Sequence, residues 1–289
     1  MKISQKKDVI WCYTLFGRDV NKYYVAMKSN VSIARDHNVK IIIATLYEDL
    51  IFVKDYFKFA CESVSIVSFE ESYANQYPKL LRYLIPLNYQ CDYCFFKDSD
   101  SVVTELELKY SNEWMENKDS NCIIIRDHPL HIAPILGGMF GLSSDTAKKS
   151  ANLLLQELYN GNVKFKDGYL YDQLWLGKKI YPMVKLNSLI YSSHFSYVGE
   201  NVIDTYEYWS PDEYIGAQWF ESTVNIEEKY KKLIGLYSVG KLSVPFYEKF
   251  SNIYQKTRVV LYTAYCIGFT RKIVRGLKLI RLKGYNFNN

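Results

Sequence analysis

Apolar and polar positions along the first two thirds of this chain fall into blocks of two kinds. Val9 to Leu15 is a continuous apolar, β-prone run that ends at Phe16-Gly17-Arg18. Runs of this kind mark strands buried on both faces of a sheet. Asn21 to His37 then places Tyr24, Ala26, Met27, Val31 and Ala34 at helical spacing. Val39 to Leu46 reads as a second buried strand, Leu50 to Ala60 as a helix and Val64 to Phe69 as a third strand. Pro78 to Leu87 is helical, with proline at its entry and Leu80, Leu81, Leu84 and Ile85 on one side. Strand Tyr93 to Phe96 follows. Glu105 to Asn117 reads as a helix, Cys122 to Ile125 as a strand, and Thr146 to Tyr159 and Tyr171 to Lys179 as helices. Ile135 to Gly141 is a short apolar segment with three glycines, and Tyr191 to His194 is a late strand candidate. Strands alternating with helices predict an α/β fold with a doubly wound, mostly parallel sheet.

The pattern turns irregular beyond about Tyr206, and helix returns from about Asn252. This divides the chain into a body, residues 1–224, and an appendage, residues 225–289. Charge divides it the same way. The net charge is +5. From Lys229 onward there are 13 Lys and Arg against one acid, Glu248, whereas the remainder holds 23 basic and 30 acidic residues. A mildly acidic body argues against nucleic acid as a partner. Arg258 to Lys283 reads as a helix. Its apolar run Val259 to Phe269 is too short to span a bilayer. Arg271, Arg275 and Lys278 share one face, and Ile273, Leu277 and Ile280 another. Such a helix can lie on an anionic membrane surface. It can equally pack on the body or on a second copy.

At 289 residues with 48% hydrophobic content, the chain can bury a large core. Aromatics reach 16%, with 27 Tyr, which suits sugar-binding surfaces as well as a Tyr-rich core. Six Cys form no disulfide framework in a chain this long. They read as buried thiols in a reducing compartment, Cys91-x-x-Cys94 included. The N-terminus carries no signal-peptide pattern, which places the protein in the cytoplasm, on or off a membrane.

The chemistry concentrates where strand Tyr93 to Phe96 ends, at Lys97-Asp98-Ser99-Asp100. In open α/β sheets, ligands bind at the carboxyl ends of strands. Two hard oxygen donors there suit Mg²⁺ or Mn²⁺ shared with a diphosphate. A polar turn after a strand is the plainer reading. Further along, Arg126-Asp127-His128-Pro129-Leu130-His131 packs four ionisable groups behind a strand and holds two of the four His in the chain. Asp172-Gln173 stands at a helix start, where a capping Asp is also expected.

Together with Arg82-Tyr83-Leu84, Gly137-Gly138-Met139-Phe140-Gly141, Tyr171-Asp172-Gln173-Leu174-Trp175-Leu176 and Ser193-His194-Phe195, these segments resemble bacterial capsule- and lipopolysaccharide-type glycosyltransferases of the GT-A fold. The resemblance covers about residues 9–220 and is most specific over 95–141. It implies a hexosyltransferase that uses a nucleotide-diphosphate sugar, a UDP-sugar first among them. The implied acceptor is a cell-surface glycan or lipid-linked glycan, and the implied cofactor is Mn²⁺ or Mg²⁺. By this resemblance Asp100 binds the metal directly. Asp98 contacts the ribose, or the metal through water, and His194 supplies a third ligand. Tyr13, Thr14 and Gly17 cradle the nucleotide, and Arg82 pairs with phosphate or with the acids. Asp127 and His128 meet donor-sugar hydroxyls, and Gly137 and Gly138 admit the donor closely. Asp127 and Asp172 are the candidate catalytic carboxylates, Asp172 as general base in an inverting reaction or as stabiliser in a retaining one. A peripheral position on the inner face of the plasma membrane fits a lipid-linked acceptor. Two other readings compete, a nucleotidyltransferase acting on a sugar phosphate and a non-catalytic glycan- or membrane-binding module.

Overall fold

A computed structural model describes residues 7–69, 74, 76–117, 119–127, 131, 133–161, 171–193, 195–197, 200–205, 215–216 and 280–282. Its centre is an eight-stranded sheet. The strands are β1 (Val9–Thr14), β2 (Lys40–Leu46), β3 (Val64–Phe69), β4 (Tyr93–Lys97), β5 (Cys122–Arg126), β6 (Met139–Ser143), β7 (Ser188–Ser192) and β9 (Val202–Asp204). They run in the order β3-β2-β1-β4-β6-β5-β7-β9. All neighbours pair in parallel except β6, which is antiparallel to both β4 and β5. The doubly wound, mostly parallel α/β sheet expected from the alternating blocks is therefore present.

Pleating divides each strand between two cores. Ile10 and Cys12 face one, packed by the Pro78–Leu87 and Ser144–Tyr159 helices and by the segment from Trp175 to Val184. Trp11 and Tyr13 face the other, under the Val25–Asp36, Leu50–Tyr56 and Glu105–Glu116 helices. The Glu105–Glu116 helix starts on a Thr104 cap, whose Oγ1 accepts the Glu107 N–H at 3.1 Å.

Chain order and strand order diverge at one place that matters for function. After β1 the chain moves outward to β2 and β3, then returns to lay β4 on the other side of β1. The gap beyond the carboxyl ends of β1 and β4 is thus a topological switch point, where open α/β sheets bind ligands. Register brings those ends level, with Cys12 opposite Phe96.

Four local expectations are corrected. Ile135 to Gly141, read only as an apolar segment, delivers a reversed strand into mid-sheet. Gly141 is required there because a Cβ would stand 2.9 Å from both Phe95 and Trp114. The late strand starts at Ser188, three residues before Tyr191, and pairs with β5. The thiols are not all buried. Cys61 is exposed and Cys91 half-buried, with its Sγ 3.1 Å from that of Cys94, while Cys266 lies outside the described residues. Finally, β10 (Ile280–Leu282) pairs antiparallel with β8 (Phe195–Tyr197), so the helix read over 258–283 does not reach its end. Ile-Arg-Leu alternates with the period of a strand as readily as it continues a helix. The rest of the appendage lies outside the described residues. Among the described residues no helix is long and apolar enough to cross a membrane.

Candidate active site at the switch point

Thr14 ends β1 and Lys97-Asp98 ends β4, and one buried side chain joins them. Arg82, 3% exposed, donates its backbone N–H to Thr14 Oγ1 at 3.2 Å. Its Nη1 donates to the Lys97 carbonyl and to Asp98 Oδ1, both at 2.6 Å. Its Nη2 donates to Asp172 Oδ2 at 3.2 Å. One guanidinium thereby ties two carboxylates from different elements to a strand end. Of the two pairings expected for Arg82, the structure contains the one with the acids.

The glycines explain how such a cluster fits. A Cβ on Gly137 would sit 2.7 Å from both Arg82 Nη2 and Asp172 Oδ2. One on Gly138 would sit 2.2 Å from Asp98 Oδ2. Both are glycine because the backbone runs directly over the Arg82 cluster. Tyr83 supports the same turn by donating its hydroxyl to the Gly137 carbonyl at 3.2 Å.

This cluster floors an open cleft. Of the residues singled out in the sequence, Thr14, Arg82, Asp98, Asp100, Gly137 and Asp172 line it. Phe16, Tyr23, Lys79, Ser99 and Gln173 line it too and were not singled out as site residues. Lys79 had a signal, since it precedes Arg82 by three residues. The Pro78–Leu87 segment is a 3₁₀ helix, in which such residues eclipse one another.

Titration behaviour follows from position. Burial, then the Asp98 charge, pushes the Asp100 carboxyl up to about 6. Burial also raises Asp172, against the pull of Arg82. Asp172 Oδ1 accepts the Gln173 N–H at 2.9 Å, so Asp172 braces its own helix start as well as lining the cleft. Burial lowers the Lys79 ammonium, opposed by the charges of Asp172, Asp98 and Asp100.

The other candidates fall elsewhere. Tyr13 is fully buried in the second core and does not line the cleft. Gly17 makes the sharp turn its residue type implies, at φ +75°, with its N–H on Asp49 Oδ2 at 2.7 Å. Asp127 is 1% exposed and accepts the Ile215 N–H at 3.2 Å. It does not line the cleft, and burial pushes its carboxyl up to about 6. His128 and His194 lie outside the described residues.

The donor set can be tested against a divalent cation. Three carboxylates, Asp98, Asp100 and Asp172, face two cationic side chains in the cleft lining. The Asp98 side chain is 48% exposed, so part of it opens to solvent beyond its Arg82 contact. No group of three or more His, Cys, Asp and Glu could hold a metal among the described residues. Two carboxylates suffice for Mg²⁺-type ions, which take remaining ligands from water and substrate phosphates. The described residues therefore supply at most a partial set of ligands for such an ion.

No protein-family profile matches the chain, and no curated protein does. Solved structures do resemble it in layout. The glycosyltransferase GlyE of Streptococcus pneumoniae TIGR4 is 17% identical with a TM-score of 0.43, over 64% of this chain and 45% of GlyE. The match therefore spans less than half of GlyE. The 4-diphosphocytidyl-2C-methyl-D-erythritol synthase of Anaerococcus prevotii DSM 20548 is 10% identical at TM-score 0.45, over 78% of this chain and 96% of that one. The mannosyltransferase PcManGT from Pyrobaculum calidifontis, solved with GDP-Man and Mn²⁺, is 8% identical at TM-score 0.43, over 92% and 74%.

Proposed function

We propose that this chain is a metal-dependent glycosyltransferase of GT-A type. In this reading it moves a hexose from a nucleotide-diphosphate sugar, a UDP-sugar first among them, to a cell-surface polysaccharide or lipopolysaccharide acceptor. One observation carries the reading: Asp98 and Asp100 leave β4 at the switch point and open on a cleft. Asp100 and the exposed side of Asp98 would hold Mn²⁺ or Mg²⁺. When bound, the ion neutralises charge that develops on the departing diphosphate. Arg82 fixes Asp98 and Asp172 in one geometry, which is the positioning that group transfer needs. Asp172 faces the reacting centre, as general base on the acceptor hydroxyl or as stabiliser of a cationic sugar. A nucleotidyltransferase is less well supported, because Arg18, the only basic residue in the turn after β1, stands 3.9 Å from Asp49 and does not line the cleft. The cytoplasmic, membrane-peripheral setting and the role of the basic appendage belong to the same proposal.

A panel of nucleotide sugars, screened for thermal stabilisation with and without Mn²⁺, tests it. One donor should raise the melting temperature in a metal-dependent way, because a ligand adds about RT ln(1 + [L]/Kd) to stability. The wild type should also hydrolyse that donor slowly, and Asp100→Ala should not. Binding of no donor with either metal would overturn the reading, as would a product that retains the nucleotide.

A further inference from the structure

We infer that Cys91 and Cys94 form a thiol–disulfide exchange site, a pair that reacts with a low-molecular-weight disulfide and closes on itself. The site does not rest on the transferase reading, because the pair lies at the amino end of β4 and Asp98 lies beyond its carboxyl end. Cys91 is half-buried, Cys94 is fully buried, and their Sγ atoms stand 3.1 Å apart. The fold builds this approach. A straight strand would hold Cα atoms three residues apart at about 10 Å, beyond the reach of a disulfide. The chain instead bends at Asp92. Asp92 is pinned there. Its N–H donates to the Asp8 carbonyl at 2.7 Å, its carbonyl accepts the Ser144 N–H at 2.9 Å, and its Oδ2 accepts the Asp8 N–H at 2.8 Å.

A third thiol stands behind the pair. Cys12 faces the same core from β1, two residues along from Ile10, which is the partner of Cys94 across the sheet. Cys12 and Cys94 are both 0% exposed, so Cys91 is the sulfur of the three that a reagent in solution meets first. The exchange runs in two displacements. The Cys91 thiolate attacks one sulfur of the small disulfide, forms a mixed disulfide and releases a thiolate. The Cys94 thiolate then attacks the Cys91 sulfur and expels the second thiolate. In sum, two protein thiols are oxidised to one disulfide, the small disulfide is reduced to two thiols, and those thiols take up both protons. Contact between the sulfurs makes the second displacement intramolecular. The contact with Cys94, then burial, raises the Cys91 thiol, with Asp92 adding to the rise and Lys148 opposing it. The Cys12 contact and burial raise the Cys94 thiol, against the Cys91 contact and Lys148. The attacking species is the thiolate, so closure speeds up as pH rises.

Incubation of the full chain with oxidised glutathione, followed by peptide mass mapping, tests the site, with the exposed Cys61 as reference thiol. In wild type the Cys91–Cys94 disulfide should exceed glutathione held on Cys91 by about tenfold or more. It should form faster at alkaline than at neutral pH, and dithiothreitol should reverse it. Cys94→Ala should leave glutathione on Cys91, because the resolving sulfur is gone. Should Cys94→Ala not fold, Cys91→Ser carries the test: Cys94 should then stay unmodified while Cys61 reacts. Glutathione retained on Cys91 in wild type would overturn the assignment. So would a Cys12–Cys94 link, reaction at Cys61 with none at Cys91, or modification of Cys94 in Cys91→Ser.

Discussion

Arg82 and Arg126 are both buried arginines at strand ends or beside them, and they serve different purposes. Arg126, 0% exposed, ends β5 and pairs with Glu200, which is equally buried. Glu200 also accepts the Tyr181 hydroxyl and the Tyr197 N–H, each at 2.7 Å, and the Arg126 guanidinium lies over the Tyr197 ring. The ion pair itself is dry, with both side chains fully buried. Lys97 and Glu107 make a second dry pair under β4. Arg82 instead joins a buried acid, Asp172, to a half-exposed one, Asp98. Buried charge alone therefore does not mark a site in this protein. The mark is a buried cation whose carboxylate partner still faces solvent, because only that carboxylate can exchange a protein partner for a ligand.

Breaking each arginine should separate the two roles. Arg126→Met leaves Glu200 buried without its cation. Chemical denaturation should register a loss of about 3–5 kcal/mol, with nucleotide affinity unchanged for the folded fraction. Arg82→Met also leaves the buried Asp172 without its cation, so a comparable loss of about 3–5 kcal/mol is expected, with water solvating only Asp98. It should also abolish the metal-dependent thermal shift with donor. Equal affinity loss in both variants would erase the distinction.

Protonation sharpens it further. The Asp127 carboxyl, beside Arg126 in sequence, rises from 3.8 to about 6 on folding, so the folded chain holds that proton more tightly than the unfolded one. The associated stability is complete below about pH 4 and is lost as pH rises through 6. Asp127→Asn should flatten that decline by about 3 kcal/mol, measured as melting temperature against pH. Smallest in stability is Gly138→Ala, about 1–2 kcal/mol. Its methyl collides with Asp98, so it should weaken Mn²⁺-dependent donor binding out of proportion to its effect on melting.

Much of this arrangement was legible along the chain. Strands such as Ile41-Ile42-Ile43 announce themselves because burial on both faces favours a continuous apolar run. The acids after β4 were legible because a polar pair directly after an apolar run marks a strand's end. Tyr13 packs in the second core because a strand residue next to a strand end alternates faces, and its face depends on the pleat. Four ionisable groups in a row look wet, yet Arg126 and Asp127 are covered, because burial is decided by the segments that pack over them. Lys79 was passed over because its helix was read for its leucines.

By itself the sequence determined the alternation of elements, the apolar strands and the place of Asp98 and Asp100 at the end of one of them, since these depend on residue period and local chain chemistry. Only the tertiary structure decided that β4 returns to β1, that Arg82 joins Asp98 to Asp172 across 90 residues of chain, and that Gly137 and Gly138 must lack side chains. Those facts depend on which distant segments meet, and contact between distant segments leaves no periodic trace along a single chain.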